Sequence, residues 1–406
     1  MLSFTMWDLT ASRMRALRYA AGIAIAVLIP LLMFVAGFTL HGYLARDQTP
    51  VEAAEFRVFW EAWHILDQSF LGEHPSMTQR VYGAIRGLVQ SYGDPYTVFV
   101  EPQPRQRERE DLRGEFGGIG AWIIREKDGS YSLRPMPDMP AARAGIQEGD
   151  LLVAVDGHEI TPAMSQDEVV NLVRGPIGTT VRIQVRRAGI PDLLTFEIKR
   201  QRIETPSVEW RILDAPPHTG YIRLTIFTER TADELTQALD ELTKQGVNRL
   251  VLDLRHNNGG LLEAAVDVSS TFLRDGVVLY EAKTGGQEKT YFVRRRPLVF
   301  DGGLAVLIDG ATASAAEIVA GALQDHGRAL LFGEKTFGKG SVQLVHDLSD
   351  GSSLHVTFAR WLTPNHRQID QQGLEPDVPV ATSEQDRQAG RDPVLERALE
   401  QLAAMP

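Results

Sequence analysis

Leu304–Gly333 reads LAVLIDGATASAAEIVAGALQDHGRALLFG. An apolar run, LAVLID, leads into a turn of small residues, then a helix-patterned segment, SAAEIVAGALQ, then a second apolar run, ALLFG. That order predicts a strand, a crossover helix and a further strand. The pattern extends upstream through YIRLTIF (Tyr221–Phe227), TADELTQALDELTKQ (Thr231–Gln245), RLVLDLR (Arg249–Arg255) and LLEAAVDVSSTFL (Leu261–Leu273). The chain from Gly220 onward therefore reads as an α/β domain. Thr231-Ala-Asp-Glu234 has the form of a capping box opening its first helix.

Three glycine-rich turns follow predicted strands: Asp253–Gly260, Asp309–Glu317 and Gly333–Gln343. Strand ends of an α/β sheet converge on the edge where ligands bind, so one site can be assembled from all three. Ser314 stands just before an apolar helix, where backbone N–H groups favour a developing oxyanion. The same residues, Ser314-Ala-Ala-Glu317, also form a capping box, and the turn alone leaves both readings open. Lys339 lies between two glycines, either as an exposed loop lysine or as a general base. The second role requires a neutral amine; lowering a lysine pKa from about 10.4 to about 7.5 takes roughly 4 kcal/mol, which burial can supply.

Gly333-x-x-x-x-Gly338-Lys339 approaches a phosphate-binding loop, but the next residue is Gly340 in place of a magnesium-binding Ser or Thr. The adjoining stretch, SVQLVHDL, alternates like a strand. Nucleotide hydrolysis is thus disfavoured, as are an α/β-hydrolase triad without G-x-S-x-G and a zinc protease without H-E-x-x-H. His256 and His326 lie near the turns and read as polar surface or supporting residues. No metal and no cofactor is expected. The 406 residues carry a formal charge of -11, which argues against a broad grip on nucleic acid, and no cysteine, which excludes disulfides and thiolate chemistry.

Residues 103–203 differ from the rest, with short β-branched runs (LLVAVDG, TVRIQVRR), glycine turns and one helix-like segment, SQDEVVNLVRG; they read as a small, partly open β-barrel. Residues 52–102 read as a helical hairpin with an aromatic stripe (Phe56, Phe59, Trp60, Trp63, Phe70) expected in a core or a dimer contact. Tyr19–Leu40 is an uncharged apolar run preceded by Arg13, Arg15 and Arg18. It has the length of a membrane span, with residues 1–18 cytoplasmic and the remainder outside the cytoplasm. Residues 381–406 read as a charged tail with a final helix.

Taken together, ATASAAEIVAGALQDHGRA and GEKTFGKGSVQ, with GLVQSYGDPYTVF, FGGIGA, GDLLVAVDG and GLEPDV, resemble the C-terminal processing (tail-specific) serine peptidases. The resemblance runs from about Phe56 to Val380. It implies a multidomain α/β protein: a crotonase- or Clp-like protease core at 204–380, an inserted PDZ β-barrel, the N-terminal hairpin and one transmembrane helix. It further implies Ser314 as nucleophile, Lys339 as base and Gln343 as the residue orienting the lysine. Ala315 with Gly260 or Gly259 would supply the oxyanion hole. Gly118, Ile119, Gly120 and Ala121 would form the carboxylate loop of the PDZ domain, and Arg174 would couple tail binding to the site. Protein or peptide substrates with free C-termini, the membrane, a homodimer, and a regulatory or adaptor protein are the partners it suggests. A pseudoprotease acting as a PDZ adaptor in the cell envelope is the alternative. Two departures stand out: His256 replaces an asparagine and Asn258 a proline usual in the R-N-N-P-G-G turn.

Overall fold

The computed structural model describes residues 50–214, 218–296 and 300–405. It divides into two units, 1–81 and 82–406. The apolar run Tyr19–Leu40 lies outside the described residues, and no helix among those described is long and apolar enough to cross a membrane.

The first unit contains the helix Pro50–Ser69 and the opening of a second helix, Met77–Gln90, with Asp67 paired to Arg80. The aromatic stripe on the first helix is not in a core. Phe56, Trp60 and Phe70 are 59%, 51% and 53% exposed, and the rings touch mainly one another, as Phe59 does Trp60 at 5.2 Å between centroids.

In the second unit, six strands between Ala121 and Lys199 form an antiparallel sheet. Alternate residues of Thr180–Arg186 (Val181, Ile183, Val185) point into one apolar cluster with Leu133, Ile198 and Val169. Val169 belongs to the expected helix, Gln166–Val173. A capping box starts it: Glu168 N–H donates to Ser165 Oγ, and Ser165 N–H to the Glu168 carboxylate. The strands Glu115–Gly118 and Gln201–Glu204 pair where the chain enters and leaves this domain.

The core sheet runs in the order Val208–Leu213, Thr219–Leu224, Arg249–Asp253, Gly303–Ile308, Leu330–Gly333, Val378–Pro379. Its first pair is antiparallel and the others are parallel. Both faces are covered, as parallel strands require. Leu250 and Leu252 face the helices Thr231–Lys244, Leu262–Phe272 and Ala315–Asp325, whereas Val251 faces Val394, Ala398 and Leu402 of the C-terminal helix Pro393–Ala404. The strand–helix–strand unit read from Leu304–Gly333 is present.

The Thr231 cap is not. The helix begins at Thr231 itself, whose hydroxyl accepts the Thr228 N–H, while Glu234 turns to the N–H and hydroxyl of Ser207. Buried Ser207 offers these groups two partners that a local cap would leave unsatisfied. Next to the core lies a second, antiparallel sheet in which Ser353–Leu362 pairs with Val98–Val100, Val277–Lys283 and Ser341–Asp347.

Candidate active site

Parallel strand order puts the three glycine-rich turns at one edge, and specific bonds then lock them together. Ala313 N–H donates to the Asn257 carbonyl and Phe337 N–H to the Thr312 carbonyl. Gly259 has φ +104°, and a β-carbon there would stand 2.8 Å from Ser314 Cβ. Only glycine allows that turn to lie against the serine. Gly340 meets Asp370 just as closely: a β-carbon would be 2.1 Å from its backbone nitrogen.

Ser314 sits at the N-terminus of the helix Ala315–Asp325 with φ 55° and ψ -117°. A non-glycine residue there carries about 1–3 kcal/mol of backbone strain, which its surroundings must hold in place. Glu317 is the holder. Its carboxylate is fully buried and accepts four hydrogen bonds: from Ser314 N–H (2.9 Å), Lys339 N–H (2.9 Å), Gly338 N–H (2.8 Å) and the Thr336 hydroxyl (2.6 Å). Burial pushes its pKa above the ordinary carboxylate range, and the four donors oppose that shift. With donors aimed at both oxygens, no acceptor remains for a carboxyl proton, so this geometry suits the anion.

Lys339 is half-buried, and its ammonium has no carboxylate within 4 Å among the described residues. Burial lowers its pKa, against a weaker opposing pull from Glu108. Lys335, on the same loop, is exposed and pairs with Glu375 at 2.7 Å. Gln343 does not reach for the lysine. Its amide nitrogen donates to Ser341 Oγ (2.8 Å) and Thr357 Oγ1 (3.4 Å). No hydrogen bond joins Ser314 Oγ to Lys339 Nζ among the described residues; such contacts commonly tighten only around substrate.

Of the expected oxyanion donors, Gly259 N–H is taken by Asn257 Oδ1 at 2.9 Å. The N–H groups of Gly260 and Ala315 have no acceptor among the described residues. Asn257, which the sequence did not single out, is fully buried and also donates from its side chain to the Leu224 carbonyl. His256 is exposed with Nδ1 3.0 Å from Asp309, and His326 bonds the Val277 carbonyl. Neither histidine touches the serine or the lysine. Among the described residues no cluster of His, Cys, Asp and Glu could hold a metal ion.

Residues 218–380 match the model of peptidase family S41, and residues 131–187 match the PDZ domain. A carboxyl-terminal-processing protease of Picosynechococcus is 36% identical over 321 residues, covering 78% of this chain and 77% of that protein. The chain belongs to the carboxyl-terminal-processing serine proteases of family S41. The Synechocystis member of this group is 34% identical over 80% of the chain and 81% of its own length, and the Arabidopsis chloroplast peptidase 2 is 33% identical over 80% and 69%. Among solved structures, a photosystem II D1 C-terminal processing protease aligns with a TM-score of 0.48 and 33% identity, covering 84% of this chain and 91% of that one.

At the segment that matches the PDZ domain, a groove of about 510 Å³ is lined by Gly118, Ile119, Gly120 and Ala121 together with Val170, Val173 and Arg174. Ile119 and Gly120 present N–H groups with no acceptor among the described residues. The Arg174 guanidinium is not free in solvent. It stacks 3.7 Å from the Phe116 ring centroid and lies 3.9 Å from Asp111. Glu317 and Asn257 are the organising residues that sequence reading missed. The available signal was a lone acid in the otherwise apolar run AAEIVAGAL.

Proposed function

We propose that this protease cleaves proteins near free C-termini by acyl transfer at Ser314, with Lys339 as the base. Ser314 Oγ attacks the scissile carbonyl carbon while its proton passes to Lys339 Nζ. The C–N bond then breaks as the departing amine takes that proton. Water, activated by the same neutral lysine, hydrolyses the ester and restores the serine. Gly260 and Ala315 N–H groups would stabilise the oxyanion, and the groove at Gly118–Ala121 would hold the substrate's terminal carboxylate against backbone donors. Gln343 would act one step back, fixing the strand that follows the lysine through Ser341.

One observation carries this reading: a half-buried lysine with no ion partner among the described residues, on a loop that Glu317 pins to the start of the serine's helix. A structural lysine would be paired or solvated. The test is labelling with a serine-reactive phosphonate followed by peptide mapping. An adduct on Ser314 that is lost in Lys339→Ala supports the mechanism; an adduct on another serine, with peptide cleavage intact in Ser314→Ala, sinks it.

A further inference from the structure

The turn Gly93–Thr97 joins the helix Met77–Gln90 to the strand Val98–Val100. Asp94 shapes it, accepting the Tyr96 N–H at 3.2 Å and the Thr97 hydroxyl at 2.6 Å. Thr97 Oγ1 in turn accepts the Thr357 N–H at 3.1 Å, on the strand paired with Ser341–Asp347 just past the lysine. So anchored, the Tyr96 ring lies over Lys339, its centroid 5.5 Å from Nζ. The same tyrosine lines an open groove of about 700 Å³ with Leu88, Val89, Tyr92 and Val356. The ring thus borders both that groove and the ammonium.

We propose that Tyr96 is a positioning residue that keeps water off Lys339. This rests on Lys339 being the base. Two effects of the ring oppose each other: its face attracts the ammonium, whereas its bulk removes water that would solvate the charge. Burial lowers the Lys339 pKa, and a ring seated 5.5 Å from Nζ contributes to that burial. In this proposal that effect of the ring is the larger. The other charged groups around the lysine are accounted for. Glu108 is engaged by Arg105 at 2.9 Å and by His355 at 3.3 Å; Asp370 is near Arg360 at 3.4 Å; Glu317 is saturated by its four donors; and Asp94 is bonded within its turn.

Removing the side chain should therefore raise the lysine's pKa, and the rate, which needs the neutral amine, should begin its rise at higher pH. The experiment is the pH profile of kcat/KM on a tailed peptide for wild type, Tyr96→Phe, Tyr96→Leu, Tyr96→Ala and Lys339→Ala, with pH-dependent acetylation of Lys339 read by mass spectrometry. Tyr96→Phe should match wild type. Tyr96→Leu, which keeps the bulk and loses the ring face, should leave the acid limb in place or lower. Tyr96→Ala should lose on the order of tenfold at neutral pH and recover it as pH rises, with acetylation of Lys339 shifted the same way. A Tyr96→Ala profile lowered equally at every pH, or an unmoved acetylation curve in Tyr96→Ala, overturns the proposal while leaving the dyad standing. If instead Lys339→Ala keeps the wild-type profile, it is the dyad that fails. Should Tyr96→Ala not fold, a Tyr96→Leu limb displaced upward with its acetylation curve overturns it equally.

Discussion

Two lysines share one loop, and their surroundings assign them different work. Lys335 is exposed and pairs with Glu375 at 2.7 Å, whereas Lys339 is half-buried, with no carboxylate partner among the described residues and a pKa lowered by burial. Lys339→Ala should lower the acylation rate of a tailed peptide by about a thousandfold or more, as loss of a triad member does, while Lys335→Ala changes it little. Stopped-flow acylation on both variants decides the matter; near-equal losses would break the assignment. The same burial has a stability consequence. A lysine that titrates lower in the folded chain than in the unfolded one binds protons more weakly when folded, so its penalty is full at neutral pH. It is relieved as pH rises from the folded pKa toward the unfolded value near 10.4. Lys339→Met should therefore be inactive yet more stable than wild type at pH 7 in urea unfolding, and that advantage should shrink on going to pH 10. A methionine variant less stable than wild type at pH 7 would show that the amine is not held at a cost.

At the scale of elements, the C-terminal helix Pro393–Ala404 is fastened at its first turn. Asp392 caps it by accepting the Leu395 N–H at 3.0 Å, and both its oxygens accept from Arg255, at 2.9 and 2.8 Å. Arg255 also grips Asp253 at the end of a core strand. Asp392→Ala loses the cap and one arm of this pair while Arg255 keeps the other, so a cost of about 1–2 kcal/mol is expected in urea unfolding. Asp392→Asn, which can still cap, should lose less. Burial would raise the Asp392 pKa, but the bonds from Arg255 together with the backbone N–H groups at the helix start outweigh it and the pKa is lowered. The stabilisation is then present above the ordinary Asp range and lost as pH falls through the folded pKa, a dependence that Asp392→Asn should lack.

This contact was invisible in the sequence because it joins residues 137 positions apart. The strand–helix–strand rhythm was legible because periodicity is local, and Ser314 and Lys339 stood out because glycines and small residues frame them. Glu317 read only as a cap, because Ser314 alone of its four donors lies within the motif; the others, Thr336, Gly338 and Lys339, sit on a separate loop 19 to 22 positions along the chain. Thr231 misled for a related reason, since a distant buried serine, Ser207, outbid the local cap.

For the whole molecule, a segment matching the PDZ domain and the serine's edge belong to one chain, and the proposed mechanism has them act on one substrate. If Ile119 and Gly120 N–H groups take the terminal carboxylate, amidating a peptide's C-terminus should lower kcat/KM by about tenfold or more, with the rate of phosphonate labelling at Ser314 unchanged. Equal cleavage of free-acid and amidated peptides would give the groove another job. The four-donor carboxylate of Glu317 also limits how such a protease can be silent. Pulling the serine's turn away from the lysine's loop would leave a buried anion facing vacated donors, a state costing several kcal/mol. Latency in this chain is then cheapest with both backbones in place and only the lysine side chain swung aside. Such a change rebuilds no loop, a process that takes microseconds or longer. A dormant copy would be ready to fire almost as soon as a tail arrives.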